Sequence, residues 1–319
     1  MKKIFIAVAG LIFLVSIGSA FLLRPQPEEK IGGRPYIVVT TAQIGDILTN
    51  VGGDKVRVDV LMGSGVDPHL YRPTRSDVVK LERADVVFYN GSHLEGQMVE
   101  MLEKLASEKP AVSISDGLPQ DSLLGLPCNE RHDPHIWMDV KKWIAAADIV
   151  KNALGAKYPE HIEFFAENAV VYKEALKELD AHVREGIKSI PGENRVLLTA
   201  HDAFGYLGAA YNIEVIGIQG ISTESEAGLR KIEELVNKIV ERKIPAVFVE
   251  SSVSDRNIKA LIEGAAAQGH IVEVGGELYS DAMGKAGTYE GTYIGMMDHN
   301  VKTIAAALGG DAGSFKKGR

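Results

Sequence analysis

Four side chains stand out as a set that could hold a divalent metal ion: His69, His135, His201 and Asp281. His69 and His135 each close an Asp-Pro-His tripeptide, at 67–69 and 133–135. Proline fixes its own φ and restricts the residue before it, so both imidazoles sit in a stiff local frame, which suits a ligand whose angle matters. Turns favour Asp and Pro in any case, so one such tripeptide says little and two in one chain say more. His201 opens the stretch His201-Asp202-Ala203-Phe204-Gly205-Tyr206, which reads equally as a strand-to-helix turn capped by Asp202. Asp281 is the weakest of the four by itself, because Glu250 and Glu277 compete for the carboxylate role. Three imidazoles and a carboxylate suit a borderline ion. Zinc accepts them as a closed tetrahedron, and a bidentate carboxylate raises the count toward five, which manganese tolerates better.

The remaining histidines read as bystanders. His161 and His182 fall off the apolar stripe of a long helix and are expected in solvent, while His270 and His299 take structural roles. His93, just past Asn90, is expected to line the cleft, and His132 neighbours the stronger candidate His135.

The elements that must position the four form two similar sets. Before the midpoint, β-branched runs at 36–41, 57–62, 85–90 and 112–115 alternate with helical patterns at 43–51, 75–83 and 94–107. Beyond it, runs at 195–200, 213–218, 246–251 and 271–274 alternate with helices at 226–241 and 255–268, and a last helix covers 293–308. Alternation of this kind implies parallel strands with helices on both faces. Between the sets lies the run 159–190, whose apolar residues Ile162, Phe165, Ala169, Tyr172, Leu176, Leu179, Val183 and Ile187 keep one helical stripe. At about 1.5 Å per residue it makes a rod of roughly 48 Å, longer than one lobe needs. The expected architecture is α/β: two lobes, each with a four-stranded, mainly parallel sheet flanked by helices, joined by one long rigid helix. The corresponding boundaries are 36–158 and 191–310 for the lobes, 159–190 for the bridge and 311–319 for a polar tail. His69, His201 and Asp281 each follow a strand, where ligands of open parallel sheets gather.

Composition narrows the function. A net charge of −8 excludes nucleic acid as the expected partner. Cys128 is the only cysteine, so neither an intramolecular disulfide nor a multi-cysteine zinc site can form. Lys2 and Lys3 precede an apolar run from Ile4 to Leu23, with Gly18-Ser19-Ala20 at a plausible cleavage position. Residues 1–23 therefore read as an export signal, or as a retained N-terminal anchor if they are not cut. In both cases the rest of the chain lies outside the cytoplasm. No cysteine sits near the cleavage position to carry a lipid, and residues 24–35 read as a linker.

The segments Gly65-Val-Asp-Pro-His-Leu-Tyr71, Asp133-Pro-His-Ile-Trp-Met-Asp139, His201-Asp-Ala-Phe-Gly-Tyr206 and Leu278-Tyr-Ser-Asp-Ala282 occur in this order. They resemble the four ligand segments of the zinc and manganese solute-binding proteins of ABC transporters, in particular the TroA-like, treponemal-type receptors. Supporting segments are Tyr89-Asn-Gly-Ser-His-Leu-Glu95, Gly220-Ile-Ser-Thr-Glu-Ser-Glu226 and Phe248-Val-Glu-Ser-Ser252. The resemblance covers Tyr36 to Leu308. It implies His69, His135, His201 and Asp281 as ligands of one Zn2+ or Mn2+ carried as cargo, a membrane permease and ATPase as partners, a monomeric state, and no catalysis. It departs in two respects: zinc-dedicated members often carry a histidine-rich loop, and residues 116–131 contain no histidine; many members are lipoproteins, and no cysteine stands at the usual position here. Glu250, ending a strand near the expected site, is a candidate for orienting an imidazole. The competing readings are a helix-bridged receptor for an iron chelate or cobalamin, a mononuclear metallohydrolase with Asp281 as base, and a surface adhesin.

Overall fold

The computed structural model describes residues 33–126 and 132–315. The expected signal or anchor at 1–23, most of the linker, Cys128 and the basic C-terminal residues Lys316, Lys317 and Arg319 lie outside the described residues. Among the described residues no helix is long and apolar enough to cross a membrane.

Strands β1 (Tyr36–Thr41), β2 (Arg57–Met62), β3 (Val86–Tyr89) and β4 (Ala111–Ser113) form one parallel sheet in the order β2-β1-β3-β4. Helices α1 (Ala42–Gly52), α2 (Arg75–Arg83) and α3 (Val99–Glu108) return the chain between them. The order reverses between β1 and β3, and a crevice opens beyond their carboxyl ends at such a switch. Helix α2 starts with a capping box. Thr74 Oγ1 accepts from the Asp77 N–H at 3.3 Å while the Asp77 carboxylate accepts from the Thr74 N–H at 2.8 Å.

After α4 (Val140–Lys157) a single 3-10 turn, Pro159–His161, leads into α5 (Ile162–Ser189). With 28 residues, α5 is about 42 Å long. Its expected stripe is buried from Phe165 to Ile187, although Ile162 itself is exposed. The helix is more than a strut. A continuous hydrophobic core takes in Ile37 and Phe88 of the first sheet, Leu176 and Leu179 of α5, and Leu197 and Phe248 of the second half.

The second half contains β5 (Val196–Thr199), α6 (Gly205–Tyr211), β6 (Glu214–Gly217), α7 (Leu229–Arg242), β7 (Ala246–Glu250), α8 (Arg256–Ala267), β8 (Glu273–Leu278) and α9 (Tyr293–Ala307). All pairings are parallel, as expected, but the hydrogen bonds divide the four strands into two pairs, β5-β6 and β7-β8, with β5 packed beside β7. The ladder of the second pair shifts register between Val247 and Phe248, opposite Gly275 and Gly276. A Cβ on Gly275 would lie 2.7 Å from Phe248, and one on Gly276, whose φ is +138°, would lie 2.5 Å from Thr303. The glycine pair thus lets β8 pass between Phe248 and α9 at the cost of a regular ladder with β7.

His182 departs from the solvated position expected for it. It projects from α5 onto α9, with Nε2 2.8 Å from Asp298 Oδ1 and its ring beside Phe315. An off-stripe position on α5 is covered because α9 packs along the flank of the same helix. His161 is half-buried against Phe165.

Candidate metal centre

His69 sits in the irregular segment 63–74 between β2 and α2, and His135 in the turn before α4. In both Asp-Pro-His tripeptides the aspartate folds back on its own backbone. Asp67 Oδ1 accepts the His69 N–H at 2.8 Å, and Asp133 Oδ1 accepts the His135 N–H at 2.9 Å. His201 stands just past the carboxyl end of β5, and Asp281 just past that of β8. The Asp281 segment is pinned to the first half through its carbonyls: Gln43 Nε2 donates to Asp281 O and Trp137 Nε1 to Ser280 O, both at 2.8 Å.

These elements bring four ligand atoms within 4.8 Å of one another. His135 Nε2 lies 3.3 Å from His69 Nε2 and 3.3 Å from Asp281 Oδ1, and His201 Nε2 lies 3.3 Å from Asp281 Oδ2. His69 Nε2 is 4.0 Å from Asp281 Oδ2. Ligands about 2.1 Å from a tetrahedral centre stand about 3.4 Å apart, so the spacing leaves room for one ion. No residue of the four is more than 3% exposed. His201 Nε2 and both Asp281 carboxylate oxygens are buried without a hydrogen-bond partner. Buried polar atoms are nearly always paired, and three orphans aimed at one point are what a bound cation would satisfy.

Residues 37–307 match the protein family described as ZnuA, zinc-uptake complex component A, periplasmic. The chain belongs to that family.

It is 47% identical over 272 residues to the manganese-binding lipoprotein MntA of Bacillus subtilis, covering 85% of this chain and 89% of that protein. It is 31% identical over 318 residues to the manganese ABC transporter substrate-binding lipoprotein PsaA of Streptococcus mitis, covering 97% and 99%. Among solved structures, the periplasmic zinc-binding protein TroA of Treponema pallidum superposes with a TM-score of 0.84 at 46% identity, over 86% of this chain and 99% of that one. As a ZnuA-family member the chain is a metal solute-binding protein and not an enzyme, which sets aside the hydrolase and chelate-receptor readings.

Around the four side chains, the ZnuA-family chain places carboxylates behind two imidazoles. Glu250 binds His201 twice, through Oε1 to the N–H at 2.8 Å and through Oε2 to ring Nδ1 at 2.5 Å. Asp133 Oδ1 lies 2.7 Å from His135 Nδ1. Each contact turns the opposite nitrogen, Nε2, toward Asp281. A further layer holds the His135 turn. Asn90 Nδ2 donates to Pro134 O at 2.9 Å, and the buried Glu95 carboxylate collects Thr40 Oγ1, the Asn90 N–H and the Gly91 N–H.

The charges are arranged around Asp281. Burial pushes its carboxyl up, but the imidazoles of His201, His135 and His69 outweigh this and hold it well below the usual carboxylate range. Burial pushes His135 down, and Asp133 with Asp281 raises it to about 9. His201 is likewise raised, against burial, by Glu250 and Asp281. Burial dominates at His69 and lowers it to about 3, leaving that ring neutral.

The two rival carboxylates stand outside the four-residue cluster: Glu250 lies behind His201, and Glu277 is exposed on β8. His93 and His132 line a separate cleft of about 350 Å3 with Glu103 and Asp116. His270 Nε2 is bonded to Ile244 O at 2.9 Å and His299 Nε2 to Glu277 O at 2.8 Å. Sequence reasoning passed over Asp133, Gln43 and Trp137 as supports. The aspartate was legible in principle, since it occupies the same place in both tripeptides.

Proposed function

We propose that this protein captures one divalent ion, Zn2+ or Mn2+, with His69, His135, His201 and Asp281 and delivers it to the permease of an ABC transporter. The observation that carries this reading is the set of four buried ligand atoms within 4.8 Å of one another, with His201 Nε2 and both Asp281 oxygens lacking a hydrogen-bond partner. Relatives named for zinc and for manganese support both cargoes. At equal free concentration a nitrogen-rich site takes Zn2+ ahead of Mn2+, so the supply outside the cell decides which ion is carried.

In this reading residues 36–158 and 191–310 act as two lobes, each giving two ligands, and 159–190 as the bridge. The protein works as a monomer outside the cytoplasm. MntA and PsaA are named lipoproteins, and in this chain residues 4–23 act as the export signal or the membrane tether.

The test is metal content and competitive titration of the purified protein with Zn2+ and Mn2+, beside Asp281→Ala. One ion per chain, bound much more weakly by the variant, is expected. Absence of stoichiometric binding, or binding indifferent to Asp281, overturns the assignment.

A further inference from the structure

Two kinds of bond join the halves around the metal centre. Gln43 to Asp281 O and Trp137 to Ser280 O are buried, and they sit against the continuous core. At the rim the joins differ, because they come from the loop that follows β6. Thr223 Oγ1 donates to Asp67 Oδ2 at 2.6 Å, and Gln97 Nε2 donates to Glu224 Oε1 at 3.1 Å.

In the stretch 220–230 Thr223 is the one buried residue, 8% exposed, among half-buried and exposed neighbours. The far end of the loop is tied to its own half, where Gln219 Nε2 and Asn257 Nδ2 both donate to Glu226 Oε2. The loop is therefore anchored at its base and pinned across the rim by a hydroxyl.

The acceptor of that hydroxyl is not a bystander. Asp67 spends its other oxygen on the His69 N–H. His69, like His135, is carried on a segment without regular structure, here residues 63–74, whereas His201 and Asp281 directly follow strands. A hydroxyl-to-carboxylate bond of this length is among the stronger hydrogen bonds.

We infer that the 220–226 loop is a strap over the metal centre and that Thr223, through Asp67, is a positioning residue that holds His69 on the ion and sets the rate at which the ion leaves. Release of Thr223 frees Asp67, and Asp67 frees the His69 turn, while the buried joins and the core stay intact. The inference rests on the capture reading above and adds a gate to it.

The experiment measures Zn2+ dissociation by chelator chase from the wild-type protein, Thr223→Val and Thr223→Ser, with the unfolding midpoint of each ion-free protein recorded in parallel. Valine keeps the shape and removes the donor; serine keeps the donor. Thr223→Val is expected to release Zn2+ about tenfold faster or more. Stoichiometry should stay at one ion and the ion-free midpoint should fall by no more than the loss of one hydrogen bond explains, with Thr223→Ser close to wild type. A purely structural Thr223 would lower the midpoint and leave the release rate alone, which overturns the inference. So does acceleration of equal size in Thr223→Ser, since the hydroxyl is then not the cause. If wild-type protein binds no Zn2+, the capture reading falls as well; if it binds Zn2+ and Thr223→Val releases at the wild-type rate, the strap alone falls.

Discussion

Glu250 grips His201 at two points, its backbone N–H and its ring Nδ1, so that strands β5 and β7 meet at their carboxyl ends through one carboxylate. The imidazole has no freedom to rotate Nε2 away from Asp281. Glu250→Gln keeps the size but loses the charge and one of the two acceptor oxygens. Supports of this kind are worth about 10- to 100-fold in metal affinity, and a loss in that range is expected in a competitive Zn2+ titration. An unchanged affinity would retire Glu250 as the orienter of His201.

Protons and metal compete for the same nitrogens. In the ion-free protein, His135 is raised to about 9 by Asp133 and Asp281 against the pull of burial, and His201 is raised as well. Raised histidines stabilise the ion-free fold fully below their unfolded value of about 6.5, and that contribution is lost as pH climbs through the folded value. The metal-bound form works in the opposite sense, because its imidazoles must be neutral. The increase in melting temperature at saturating Zn2+ should therefore widen between about pH 6.5 and 9. Thermal unfolding with and without Zn2+ across that range checks it, and an increment constant above pH 7 would contradict it.

Acid sensitivity has a second, separate source at the start of α2. Burial raises the Asp77 carboxyl, but hydrogen bonds from Thr74 and Tyr71 outweigh it and hold the group below its ordinary value. A depressed carboxylate contributes stability that is present above its unfolded value of about 3.9 and lost as pH falls through the lower folded value. Asp77→Asn should cost about 1 kcal/mol at pH 7. The difference from wild type should shrink below about pH 4. Denaturant unfolding at pH 7 and at pH 3 reads both quantities, and a deficit that persists in acid would show that shape, not charge, holds the cap.

What the sequence displays and what it hides divide along chain distance. Strand-helix alternation and the α5 stripe are local periodicities, and they lie where expected because burial of one face selects them. The two Asp-Pro-His turns are local as well, and each aspartate bonds only two residues ahead. Asp281 looked ordinary because what marks it out arrives from elsewhere: Gln43 lies 238 positions away, and the imidazoles come from three other segments. His182 was misplaced for the same reason, since Asp298 is 116 positions downstream. The register shift between β7 and β8 falls where Gly275 and Gly276 meet Phe248 and Thr303, a contact that no periodicity announces.

The continuous core makes a claim about motion. Receptors hinged on flexible strands open widely because little packing is lost; here Leu179 is wholly buried in a cluster that also contains Ile37, Phe88, Leu197 and Phe248. Separating the halves would expose that cluster. At roughly 25 cal/mol per Å2 of apolar surface, even a few hundred Å2 costs several kcal/mol, more than a transport cycle could recover from one rim hydrogen bond. Metal release is thus expected to move rim segments and leave the two sheets and α5 in place, so small-angle scattering of ion-free and Zn2+-bound protein should give the same radius of gyration within error. Leu179→Ala should cost about 2–5 kcal/mol. Hydrogen exchange in that variant should show the amides of β3 and β7 losing protection together, because one core serves both. A clear change in overall dimensions on metal binding, or independent unfolding of β3 and β7, would mean that the halves are joined by the helix alone.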